Sequence, residues 1–110
     1  MPTRTLVEYQ DEHGRSPFGR WFARLNAQAA ARVARALYRL AEGNLSSVKA
    51  VGQGVSEYRL DFGPGYRIYF GQDGEKLVVL LAGGTKKRQS LDVKNARARW
   101  RNYRRRKRIN

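Results

Sequence analysis

The chain has 110 residues and a formal net charge of +14, with no cysteine and one histidine, His13. That length supports one domain with one core, while the cysteine and histidine counts exclude a disulfide framework, thiolate chemistry and a His/Cys metal site. No apolar run is long enough to span a bilayer, and Glu8, Asp11 and Glu12 interrupt any signal-peptide layout, so a cytoplasmic protein without a cofactor is expected.

"TRTLVEY" at residues 3–9 is β-rich and reads as a first strand, followed by a "QDEHGR" loop that holds His13. Ser16 before Pro17 is a helix start: a hydroxyl to cap free N–H groups, then a proline where no N–H is needed. Phe18, Trp21, Phe22 and Leu25 recur with the spacing of one helix face, and Asn26 can interrupt this helix and cap the next. Val33, Leu37 and Leu40, widened by Ala30 and Ala36, make the apolar stripe of the following run, with Arg32, Arg35 and Arg39 away from it and Gly43 as its stop. Residues 16–43 are therefore expected to form a helical hairpin or one bent helix, with Trp21, Phe22 and Tyr38 in the core.

"NLSSVKAVGQG" reads as a loop. "VSEYRLDF" alternates, with Tyr58, Leu60 and Phe62 opposed to Glu57, Arg59 and Asp61. Gly63-Pro64-Gly65 turns the chain, "YRIYFG" alternates again, and Asp73-Gly74 is a hairpin signal. "KLVVLLAGG" is apolar throughout, as a strand covered on both faces must be. A last helix is expected from about Ser90, with Val93, Ala96, Trp100 and Tyr103 along one seam and the terminal "RRRKRIN" fraying. The predicted class is α+β, in the order β-α-α-β-β-β-α: one domain over residues 1–104, a small antiparallel-rich sheet with the helical hairpin on one face, and a basic tail over 105–110.

Charge is concentrated late: residues 86–108 hold twelve Lys and Arg against one acid, Asp92. A polyanion is the natural partner of such a segment. Lys49, Arg88, Lys94, Arg97, Arg101 and Arg104 are the candidate nucleic-acid contacts. Parity adds a second cluster. If Tyr58, Ile68 and Phe70 face the helical pair, then Arg59, Asp61, Arg67 and Tyr69 share the opposite face, expected to be uncovered and next to Lys86, Lys87 and Arg88. On pattern alone this face is either a solvated surface with a cross-strand Asp–Arg pair or a phosphate site.

The stretch "GVSEYRLDFGPGYRIYFGQDGEKLVVLLAGG" with the following "TKKRQ" resembles the RelE/ParE superfamily of bacterial toxins, nearest its HigB-like (addiction module killer protein) branch, over residues 3–104. The resemblance implies a toxin of a type II toxin–antitoxin system that cuts mRNA on the ribosome without a metal. It also implies a cognate antitoxin with a helix-turn-helix domain, HigA-like. The ParE branch, which poisons DNA gyrase without catalysis, is the alternative, and a basic RNA-binding module is a third. Carried over by position, Arg67, Arg59 and Lys86 or Lys87 would be catalytic. The tyrosine that some family nucleases carry near the start of the final helix is missing, and "QSLDVKN" offers only Asp92 there. Asp61, Tyr69 and Asp92 are the remaining acid, base or orienting candidates. Metal-free RNA cleavage would need a proton acceptor for the 2′-hydroxyl, cations for the phosphoryl oxygens and a proton for the leaving oxygen. Arginine suits the second task because its fork matches two phosphate oxygens and keeps its charge.

Overall fold

A computed structural model describes residues 3–109. The elements are β1 (Thr5–Glu8), α1 (Pro17–Ala23), α2 (Ala27–Ala41), β2 (Val48–Gly52), β3 (Val55–Leu60), β4 (Tyr66–Asp73), β5 (Leu77–Thr85), a 3-10 turn (Lys86–Arg88) and α3 (Gln89–Ile109). One five-stranded sheet runs in the order β1-β5-β4-β3-β2; β1 is parallel to β5 and the other pairs are antiparallel. The α+β class with a helical hairpin and a basic C-terminal helix is as the sequence predicts.

Local chemistry sets the helix ends. Ser16 Oγ accepts from the Gly19 N–H at 2.9 Å, with Pro17 at the first helical position, and Asn26 Oδ1 accepts from the Ala29 N–H at 2.9 Å. Alternation then decides the first core. Tyr58, Ile68, Phe70, Val78 and Leu80 meet Phe18, Val33, Ala36 and Leu40 of the helical pair, each strand supplying every second residue. Gly83 lets Trp21 lie directly on β5, where a Cβ would collide with the indole.

Four expectations change. Residues 48–52, read as part of a loop, form β2, which pairs with β3 through a tight turn whose Gly52, Gln53 and Gly54 all have positive φ. Tyr38, assigned to the core, is 65 % exposed, because it sits outside the Val33–Leu40 stripe. Residues 104–109, expected to fray, do not: α3 stays helical to Ile109, held by Lys107 on Asp73 and by Arg106 on Asn102 and the Gln10 carbonyl, while Asn110 lies outside the described residues. The fourth change bears on function. The second sheet face is not uncovered. Ala96 and Trp100 of α3 pack onto Val55, Tyr69, Val79, Leu81 and Ala82, over Gly71, where a Cβ would strike the Trp100 ring. The sheet is thus sandwiched between α1–α2 and α3.

Candidate functional site

β3 and β4 place Arg59 directly opposite Arg67 and Glu57 opposite Tyr69, which belongs to the core beneath α3. The expected pairing of the two arginines is present, and their environments differ. The Arg59 side chain is 46 % exposed, whereas Arg67 is 2 % exposed and its Nη1 donates to the carbonyl of Tyr66 at 3.2 Å. Between them sits a carboxylate that is 1 % exposed: Glu57 Oε1 lies 3.7 Å from Arg59 Nε and 3.9 Å from Arg67 Nε. Gln89, the first residue of α3, donates from Nε2 to Glu57 Oε2 at 2.9 Å. Lys86 is fixed by its N–H to the Gly65 carbonyl, and its side chain and Arg67 Nη1 both border Gly65. Arg59, Arg67 and Lys86 therefore gather around one region, with Glu57 as the member that sequence reading left unassigned. The parity that placed Arg59 on this face also placed Glu57 there, so a signal existed.

The other candidates are placed differently. Lys87 is exposed on the 3-10 turn and makes no ion pair or side-chain hydrogen bond among the described residues. Asp61 follows β3 and lines a groove with Arg32, Arg35, Arg39 and Arg59, on the side of α2. Lys49 borders an adjoining hollow that also includes Arg59 and Asp61. Tyr69 is fully buried, and its hydroxyl is pushed far up, first by burial and then by Glu57 and Asp92. It stays protonated and is not a base at neutral pH. Asp92 is 8 % exposed and its Oδ2 stands over Gly84, where a Cβ would collide with it. Burial pushes this carboxyl up, against the opposing pull of Arg88 and Arg99.

Of the proposed nucleic-acid contacts, Arg97 donates to the Val51 carbonyl and pins α3 to β2, and Arg101 Nη1 donates to Gln53 Oε1 at 2.8 Å. Arg88, Lys94 and Arg104 remain exposed without such a partner among the described residues. Trp100 and Tyr103 stack on each other with centroids 5.2 Å apart, and the Tyr103 hydroxyl donates to Asp73, so both rings serve packing. Among the described residues no group of His, Cys, Asp and Glu side chains is arranged to hold a metal ion, and no helix is long and apolar enough to cross a membrane.

The model of the phage-derived protein Gp49-like (DUF891) family matches residues 20–103, which include α2, every strand from β2 to β5 and the whole Glu57–Arg59–Arg67–Lys86 region. The chain belongs to the Gp49-like family. A Haemophilus influenzae protein described as uncharacterized is 40 % identical over 81 residues, covering 73 % of this chain and 82 % of that protein. Membership in the Gp49-like family corrects the RelE/ParE, HigB-like assignment drawn from residues 3–104, and the toxin–antitoxin identification built on that assignment is withdrawn with it. The segment that suggested it is explained by the fold: "DFGPGYRIYF" is the turn into β4, and the Gly-Gly and lysines after it are the end of β5 and the 3-10 turn.

Proposed function

We propose that this Gp49-like protein binds RNA through its basic surface. The observation that most supports the reading is the layout of charge. The exposed Lys86-Lys87-Arg88 turn leads into a 21-residue helix that exposes Lys94, Arg104, Arg105 and Arg108, far more cation than that helix needs for solubility. A cytoplasmic location belongs to the same proposal. The test is binding of RNA and DNA oligonucleotides of several matched sequences across a salt series. RNA binding that weakens steeply with salt, and weakens uniformly across sequences in an Arg104→Ala/Arg105→Ala variant, is the expected result. Failure to bind RNA at low salt refutes it.

A second reading, a metal-independent endoribonuclease acting on mRNA, is favoured by one feature: a carboxylate held between two guanidinium groups beside a lysine. On this reading Glu57 takes the ribose 2′ proton, the 2′-oxygen attacks the adjacent phosphorus, and Arg59 and Lys86, both exposed, meet the phosphoryl oxygens. Lys86 protonates the departing 5′-oxygen, and Arg67, enclosed, positions Glu57. RNA is required because DNA lacks the attacking hydroxyl. Since Glu57 and Arg67 are closed off, a partner has to supply orientation and opening, and the ribosome carrying its mRNA is the partner proposed. New mRNA 5′ ends after expression of the wild type, absent with Lys86→Ala or Glu57→Gln, support cleavage. Unchanged mRNA ends in the wild type reject it and leave the binding reading standing.

A further inference from the structure

α1 and α3 flank a cleft of about 350 Å³, lined also by Ala82 and Gly83 of β5. Five arginines line it: Arg15 before α1, Arg20 within α1, Arg24 at its C-terminal end, Arg88 on the 3-10 turn and Arg99 on α3. They come from segments far apart in sequence, and like charges converge in this way only at an electrostatic cost. Asp11 and Asp92, which also border the cleft, offset only part of that cost, two carboxyl groups against five guanidinium groups. None of the five forms an ion pair with a carboxylate among the described residues.

Neither of these two acids forms an ion pair with the arginines of the cleft. Asp11 Oδ1 accepts the backbone N–H groups of His13 and Arg15, at 2.8 and 3.0 Å, to close its own loop. Asp92 is turned onto Gly84. Arg99 is anchored through Nη1 to the Leu81 carbonyl at 3.2 Å, which leaves its other N–H groups for a ligand. Arg20 and Arg24 are one helical turn apart and exposed, so their forks are free to close on a guest.

We propose that the cleft between α1 and α3 is a polyphosphate-binding site, taking two or more consecutive phosphate groups from an RNA strand or from a free nucleoside polyphosphate. Arginine forks match phosphate oxygens bidentately, and the cleft volume lies in the range of small-ligand sites. The site is separate from the Glu57 cluster. Only the RNA source rests on the function proposed above; the phosphate chemistry does not.

The probe is inorganic tripolyphosphate, titrated into the full chain by calorimetry. Binding by the wild type is expected, with a loss of about tenfold or more in Arg20→Ala/Arg24→Ala. These two side chains are exposed, so the fold should survive, and far-ultraviolet dichroism checks it. Arg35→Ala/Arg39→Ala removes the same charge from exposed positions of α2, outside the cleft, and should stay within about twofold of wild type. No binding by the wild type overturns the proposal. So does an equal loss in both double variants, which would mean general charge rather than a site. Arg99→Gln gives an independent check from the opposite wall, and wild-type affinity in it also overturns the proposal. A competing RNA oligonucleotide then assigns the source. Displacement of tripolyphosphate supports the RNA strand, whereas binding undisturbed by RNA supports the free nucleotide. Tripolyphosphate binding by a chain that binds no RNA would end the RNA-binding function and leave this site intact.

Discussion

Arg67→Met tests the closed cluster most directly. Methionine fills much of the arginine stem's volume but leaves Glu57 as a carboxylate at 1 % exposure without its deeper partner. Two unit charges 3.9 Å apart in an effective dielectric of about 20 attract by about 4 kcal/mol. Removing one partner of a buried pair costs about 3–5 kcal/mol, chiefly through the stranded charge. Arg59, at 3.7 Å and 46 % exposed, and the Gln89 hydrogen bond still serve Glu57, so a loss of about 3 kcal/mol, near the low end, is expected. The assay is urea unfolding of wild type, Arg67→Met, Glu57→Leu and the double variant Arg67→Met/Glu57→Leu. The double variant should return to within about 1 kcal/mol of wild type, because the desolvation penalty leaves with both charges. A single variant that loses less than about 1 kcal/mol, or a double variant no better than the single, would show that this pair is not the enclosed charge couple its geometry describes.

Asp73 is held below the usual carboxylate range by the Lys107 ammonium, then by the Tyr103 hydroxyl. Because its folded value is depressed, its contribution is present above the unfolded value of 3.8 and is lost as pH falls through the folded value. Thermal melts of wild type and Asp73→Asn should differ near pH 6 in favour of wild type and converge below pH 3 or so. Gly71→Ala drives a methyl into Trp100, and Gly83→Ala drives one into Trp21; each should cost about 1–3 kcal/mol in denaturant unfolding, and a neutral result would mean that those indoles are not seated on the sheet. Asn26→Ala removes the acceptor for the Ala29 N–H and should cost about 1 kcal/mol, with Asn26→Ser recovering most of it.

Much of this fold is legible from short-range pattern. Ser16-Pro17 and Asn26 announce the helix starts because capping depends on a few adjacent atoms. β3 and β4 alternate because a pleat sends neighbouring side chains to opposite faces, and β5 is apolar throughout because helices cover both of its sides. β2 escaped because its five residues are mostly exposed and show no apolar alternation; its mark was the Gly52-Gln53-Gly54 turn, whose left-handed backbone suits a tight hairpin. The family assignment failed for a related reason: a turn–strand–Gly-Gly pattern records how the chain pairs its strands, and this does not determine the family.

By itself the sequence determined the helix caps, the strand alternation, the α3 seam of Val93, Ala96, Trp100 and Tyr103, and the excess of positive charge. Apart from the charge count, each is a property of residues within about three turns of one another. Tertiary structure alone decided where that seam lies. A helical period specifies a sticky face but not its partner, and packing on the Arg67 side of the sheet turned an expected open surface into a closed Glu57–Arg67 pair. The gathering of Arg15, Arg20, Arg24, Arg88 and Arg99 around one cleft is of the same kind, since it requires α1 and α3 to flank the same part of β5. Charge can be counted along a chain, but its local density depends on distances that only the folded backbone defines.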